Sequence, residues 1–419
     1  MTGTMPPAMT LATGNAGSPE SGFLRSRVSC AGLSRRASLR LAAGLSLAGP
    51  LMSAARAGEV SPGPVLPAAG SGERWPTLDG ARPLLLAHRG ASALRPEHTL
   101  AAYAKAIADG ADYIEPDLVP TKDGALIVRH DPDISQTTDV SAHPEFASRK
   151  RTMVVDGQRI TGWFSTDFTL AEIKTLRARE RLPKVRPLNA RYDGQFDIPA
   201  LQEVIDFVAA ESAARGRMIG IIPEIKHPTF FAGLGLPMED RVLAALGAHF
   251  YTRTAPLEIQ CFEAGCLRTL RGRLAGAGLR ARLMFLMGGP GEVPGDVQAR
   301  GGRTTYGDLM KPEALREIRR YAEVIGPANT SLIPRDAAGR WLEPTTLIRD
   351  AHAAGLLVHS YTCRPENVFL PAQLRSDAGP DARNEAGSVA EIRRYLAMGL
   401  DGFFTDDPAV GLRALQGAG

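Results

Sequence analysis

From Ala81 onward the chain alternates between short apolar runs and stretches whose apolar positions recur every three to four residues. The short runs are LLLAH (84–88), YIEPD (113–117), ALIVRHD (125–131), GIIPEIK (220–226), LEIQCF (257–262), ARLMFLM (281–287), AEVIGP (322–327) with NTSLI (329–333), LLVHSYTC (356–363) and GLDGFFTDDP (399–408). Runs of that length, rich in branched and aromatic residues, predict strands. Between most of them lie helical patterns. Leu100, Tyr103, Ala104 and Ile107 share one face of a helix that Gly110 stops. Leu201, Val204, Ile205 and Val208 line another, and TLAEIKTLRA (169–178) reads as helical too. Strands and helices in alternation, with right-handed crossovers, predict an α/β fold, a distorted (β/α)8 TIM-type barrel. No glycine fingerprint or P-loop follows the first strand, which argues against an open nucleotide-binding sheet.

Two places break the alternation. Only LVPTKDG (118–124) separates YIEPD from ALIVRHD, too few residues for a parallel crossover, so a local hairpin is expected. Residues 132–168 are polar, irregular and aromatic-bearing, and read as an insertion that covers the site or selects substrate. The expected organisation is an export signal over 1–57, a linker over 58–80, the barrel over 81–412 and a short tail over 413–419.

Charge changes this picture little, except at the N-terminus. The formal net charge is +4, but residues 1–57 hold six arginines against Glu20 alone, leaving 43 basic and 44 acidic residues elsewhere. A nucleic-acid surface is therefore not expected. Ser34-Arg35-Arg36-Ala37-Ser38-Leu39 precedes the apolar run LAAGLSLAGPLM and then Ala55-Arg56-Ala57. That order resembles a twin-arginine export signal with a small-x-small cleavage site, so export to the periplasm is the expectation. The run is too short for a stable membrane span. With Cys30 in the leader, Cys261, Cys266 and Cys363 remain, with no zinc spacing, and a Cys261–Cys266 disulfide is the pairing open to an exported chain.

The candidate chemistry sits where apolar runs end. His88-Arg89, Glu115 with Asp117, His130, and Glu224 with Lys226 all follow strands, and in a barrel such ends converge on one face. Glu115 and Asp117, two apart, share a strand face. Three carboxylates form a hard oxygen site suited to Ca²⁺ or Mg²⁺. Two imidazoles serve as general acid and base, while Arg89 and Lys226 neutralise a phosphate. Together they fit displacement at phosphorus. Gln260 closes another strand, and His359, Tyr361 and Cys363 share a strand face as candidate substrate contacts. His98 reads as a helix-start residue, and His249 and His352 as structural.

These residues fall into motifs: His88-Arg89-Gly90-Ala91, Pro96-Glu97-His98-Thr99, Glu115-x-Asp117, Thr121-x-Asp123-Gly124, His130-Asp131, Pro223-Glu224-x-Lys226 and Gly402-x-x-Thr405-Asp406-x-Pro408. In this order, over about 82–412, they closely resemble the glycerophosphodiester phosphodiesterase family, and the long insertion is similar to its periplasmic, calcium-using branch. The resemblance implies a (β/α)8-type barrel that hydrolyses glycerophosphodiesters to an alcohol and sn-glycerol 3-phosphate. It implies Glu115, Asp117 and Glu224 as metal ligands, His88 and His130 as the acid–base pair, and Arg89 and Lys226 on phosphate. It also implies attack by the substrate's own glycerol hydroxyl through a cyclic phosphate. Cys363 follows Tyr361-Thr362 at a position where relatives vary, so a different glycerol or headgroup pocket is expected. Two rival readings are a lysophospholipase D-type enzyme on acylated lipids, with Phe146, Trp163, Phe164, Phe168, Phe230 and Phe231 as its apolar surface, and a non-enzymatic binder. The intact histidines and carboxylates weigh against the binder. Oligomeric state is not legible.

Overall fold

A computed structural model describes residues 74–416. The expected export signal, most of the expected linker and residues 417–419 lie outside the described residues. Eight parallel strands form the barrel: β1 (Leu84–His88), β2 (Tyr113–Glu115, resuming as Asp117–Pro120), β3 (Gly220–Ile221, resuming as Glu224–Ile225), β4 (Glu258–Cys261), β5 (Arg282–Met287), β6 (Val324–Pro327), β7 (Leu357–Cys363) and β8 (Gly402–Thr405). Each pairs with the next, and β8 closes on β1 with Leu84 opposite Gly402. The barrel is the one the alternation predicts. NTSLI supplies no strand; Asn329–Leu332 is a helical turn.

The distortion has a chemical cause. β2 and β3 are each interrupted beside a proline, Pro116 and Pro223, which has no N–H to give to the ladder. The ladder resumes at once, since Ile222 N donates to Ile114 O and Glu224 N to Pro116 O, both at 3.0 Å. The register there sets His88 opposite Glu115, Asp117 opposite Glu224, and Glu224 opposite Gln260. Adjacent parallel strands thus deliver their polar ends to one rim.

Helices cover the outside. The helix Leu100–Ala108 starts at Thr99, whose hydroxyl accepts from Ala102 N at 3.1 Å, and buries Ala102, Tyr103, Ala106 and Ile107. Burying Ile107 stabilises the packed state by roughly 1.5–3 kcal/mol, so a charge there would detach this helix. The helix Leu201–Arg215 buries Leu201, Val204, Ile205 and Val208 as its spacing predicts, and ends at Gly216 in a left-handed turn. No helix among the described residues is long and apolar enough to cross a membrane.

The seven-residue connection is the expected hairpin: Leu126–Val128 runs antiparallel to Asp117–Pro120, Leu118 facing Val128. The insertion is longer than expected. No barrel element lies between Val128 and Leu201. The predicted helix at 169–178 is only Leu170–Ile173, started by a Thr169–Glu172 capping box; beyond it Leu176 and Ala178 bury themselves without helical backbone. Tertiary burial outweighs helix propensity there. A two-stranded hairpin, Arg151–Val155 with Gln158–Gly162, also belongs to this excursion.

Four further expectations are corrected. The Trp163 indole donates to Phe146 O at 2.7 Å, Phe146 and Phe168 meet edge to face at 5.1 Å, and Phe164 is buried, so these aromatics are the excursion's own core and not an apolar trough. Phe231 is buried as well. Cys261, Cys266 and Cys363 are buried free thiols. The end of the linker belongs to the barrel, since Trp75 packs on the core and Leu78 N donates to Asp401 at 2.8 Å. The tail does not begin at 413: the helix Pro408–Gln416 buries Ala414 and Leu415.

Candidate active site

The loop after β1 is built by residues in unusual backbone conformations. Arg89 and His98 take left-handed φ values of 59° and 58°, which costs a side-chain-bearing residue about 1–3 kcal/mol each and is tolerated where surroundings fix it. In that conformation Arg89 N donates to Glu115 Oε2 at 2.7 Å. Gly90, at φ 86°, has no alternative: a Cβ there would lie 2.7 Å from the Ala102 carbonyl carbon. The helix behind the loop therefore packs directly on its backbone.

Glu115, Asp117 and Glu224 are buried and bring one carboxylate oxygen each within 4.8 Å of the others. Burial, then Asp117 and Glu224, hold the Glu115 carboxyl well above its usual range. Burial pushes Glu224 up to about 8 against the pull of Lys226, whose Nζ is 2.8 Å away. Burial opposes ionisation of Asp117 too, but Lys226 and His98 outweigh it and hold that carboxyl well below its usual range. Asp117 Oδ1 is buried with no hydrogen-bond partner. Crowded, desolvated carboxylates with an unpartnered oxygen fit a hard divalent cation, whose charge would ionise all three.

Two histidines flank the carboxylates. His88 Nδ1 meets Asp406 Oδ1 at 2.6 Å, and His130 Nδ1 meets Asp131 Oδ1 at 2.7 Å. Each aspartate fixes the ring through Nδ1 and leaves Nε2 for the cavity. Burial, then Arg89, lower His88 to about 4; burial, then Arg89 and Lys226, lower His130 to about 3. Both shifts favour the neutral imidazole.

One cavity of about 110 Å³ gathers His88, Arg89, Glu115, His130, Glu224, Lys226, Gln260 and Tyr361, walled by Phe262, Leu286, Thr362, Arg364 and Phe404. The two histidines, Glu115, Glu224, Arg89, Lys226, Gln260 and Tyr361 therefore share one site, with Asp117 beside its lining. Two contacts differ from expectation. Gln260 gives its amide to Glu115 Oε1 at 3.0 Å, so it orients a carboxylate as well as facing the cavity. Tyr361 lines the cavity with its hydroxyl already donated to Met287 O at 2.8 Å. His359 and Cys363 do not line the cavity; His359 lies 3.3 Å from Glu258 inside the barrel, and the Cys363 thiol faces Asn329. Phe230 and Phe231 are likewise absent from the lining.

Sequence reasoning missed a supporting layer. His98, read as a helix-start residue, holds Asp117 Oδ2 through Nε2 at 2.8 Å while Nδ1 meets the Tyr103 hydroxyl at 2.9 Å. From the insertion, Arg181 reaches Glu97 at 2.7 Å and Asp131 at 2.6 Å. Arg186 reaches Asp406 at 2.6 Å and Glu366 at 2.8 Å. His98 stood inside a quoted motif and could have been found there; neither arginine had any local signal.

The sequence matches the model of the Glycerophosphoryl diester phosphodiesterase family over residues 88–410. It is 35% identical over 343 residues to glycerophosphodiester phosphodiesterase GDPD6 of Arabidopsis thaliana, covering 78% of this chain and 85% of the relative. It is 28% identical over 355 residues to a glycerophosphodiester phosphodiesterase of Haemophilus influenzae, covering 80% and 90%. Among solved structures, a glycerophosphoryl diester phosphodiesterase-type chain from Silicibacter pomeroyi superposes with a TM-score of 0.54 at 20% identity, covering 82% of this chain and 97% of that one. That last likeness speaks for the fold alone.

Proposed function

Because the chain belongs to the glycerophosphoryl diester phosphodiesterase family, and is an enzyme of that activity, we propose that it hydrolyses glycerophosphodiesters to an alcohol and sn-glycerol 3-phosphate by metal-dependent acid–base catalysis. The observation that carries this reading is the buried Glu115–Asp117–Glu224 triad, with its unpartnered Asp117 oxygen, set between two imidazoles each anchored by an aspartate. The triad would hold a divalent cation, Ca²⁺ before Mg²⁺, which would supply charge stabilisation to the phosphoryl oxygens. Gln260 and Arg89 N orient Glu115, and His98 orients Asp117. Such supporting contacts set ligand geometry.

Arg89 and Lys226 face the phosphate from the same rim. One of His88 and His130 removes the proton of the glycerol hydroxyl that attacks phosphorus, and the other protonates the departing alcohol. They exchange roles when water opens the resulting cyclic phosphate. A bound phosphate anion opposes the fields of Arg89 and Lys226 and so raises both imidazoles toward the range this exchange needs. The twin-arginine-like leader supports export of this enzyme to the periplasm as part of the same proposal.

The test is release of sn-glycerol 3-phosphate from glycerophosphocholine by the purified enzyme with Ca²⁺, with Mg²⁺ and with EDTA, beside His88→Ala. Release that depends on the cation and disappears with the substitution is expected. Full turnover in EDTA would remove the cation from the mechanism, and full turnover by His88→Ala would remove that imidazole.

A further inference from the structure

Arg364 follows β7 and lines the cavity, yet the acid–base mechanism leaves it without a task. Its Nε donates to Asp406 Oδ2 at 3.0 Å, and its guanidinium carbon lies 4.9 Å from the centre of the Phe369 ring. Those two contacts fix the plane of the group. Among the described residues its Nη1 and Nη2 make no protein hydrogen bond, and neither is sealed from solvent. The side chain is 30% exposed.

Arg186 shows what a purely structural arginine looks like on the same carboxylate. It is 6% exposed and spends every nitrogen inside the protein: Nε and Nη2 on Glu366, Nη1 on Ser92 O at 3.0 Å, and Nη2 on Asp406 at 2.6 Å. Arg364 instead uses one donor to hold its place and keeps a forked pair for the cavity. A planar fork of two N–H-bearing nitrogens is the geometry that matches phosphate oxygens.

We propose that Arg364 is a third phosphate-binding residue of this site, seating a substrate oxygen with Nη1 and Nη2. The seat and the catalytic imidazole are then one unit, since Asp406 holds Arg364 through Oδ2 and His88 through Oδ1. This rests on the phosphodiesterase reading above, and it adds a cation from the β7–β8 side to Arg89 and Lys226.

The test is calorimetric binding of sn-glycerol 3-phosphate in Ca²⁺, together with steady-state kinetics on glycerophosphocholine, for the wild type, Arg364→Gln and Arg364→Lys. Losing a charge-assisted contact is expected to raise both KM and the product dissociation constant about tenfold to a hundredfold in Arg364→Gln. Arg364→Lys, which keeps the charge without the fork, is expected to fall between and guards against a folding defect in the glutamine variant. Unchanged product binding in Arg364→Gln overturns the proposal, and so does a fall in kcat alone, which would mean that Arg364 acts only by positioning His88 through Asp406. A wild type that neither releases nor binds sn-glycerol 3-phosphate would instead sink the phosphodiesterase reading itself.

Discussion

The barrel rim and the excursion between Val128 and Leu201 hold polar groups in opposite ways. At the rim, strand register does the placing: His88 faces Glu115, Asp117 faces Glu224, and Glu224 faces Gln260. Each of those residues ends or follows an apolar run that would form a strand anyway. The excursion has little regular structure near the site, and Arg181 and Arg186 arrive there by tertiary packing alone. Yet Arg181 and Arg186 hold Glu97, Asp131 and Asp406, and the two aspartates hold the imidazoles of His130 and His88. The rim carries the groups proposed to react, and the excursion carries the charges that fix them. A reactive constellation can thus be assembled locally while its rigidity is supplied from far along the chain.

His130→Ala gives the largest expected effect. Removing one partner of an acid–base pair should lower kcat about a hundredfold to ten-thousandfold with little change in melting temperature, read by product release and thermal unfolding. Arg186→Met should reverse that balance. It strips the shared guanidinium from buried Asp406 and Glu366, at a cost of about 3–5 kcal/mol in urea unfolding, while kcat falls only about tenfold to a hundredfold. If Arg186→Met left stability intact and matched His130→Ala in kcat, the division between rim and excursion would be wrong.

Glu180 gives the smallest effect and tests the excursion alone. It is 5% exposed, and burial pushes it up to about 7, against the pull of Leu182 N–H and Arg186. A carboxyl raised in the folded state contributes stability that is present below its unfolded value and is lost as pH rises through 7. Glu180→Gln should therefore gain on the wild type from pH 5 to pH 8, by at most on the order of 3 kcal/mol in thermal or urea unfolding. An unchanged difference across that range would show that Glu180 ionises in the folded protein without penalty.

Much of this was legible. The alternation of runs pointed to eight or nine strands and so to the barrel, the seven-residue connection to the hairpin, and the strand ends to both histidines, all three carboxylates, Arg89 and Lys226. These signals are local, since a strand's end is written in the residues of the strand. The insertion's extent was misjudged because Leu176 and Ala178 continue an apolar pattern that burial satisfies without a helix. The linker's end and the tail were misjudged because Trp75 and Leu415 reveal their packing only against distant elements.

What the sequence determined by itself is the barrel and the chemical kinds of group at its mouth, because hydrophobic periodicity and the residues that close each run are properties of neighbours in the chain. What only the tertiary structure decided is which of those groups are held and by what: Asp406 on His88 from 318 positions away, Arg186 on Asp406 from 220, and Gln260 on Glu115 from 145. No periodicity encodes such pairs. They exist because closing the barrel puts β8 beside β1 and folds the excursion over the rim, where a buried charge must find its opposite or pay the cost of desolvation.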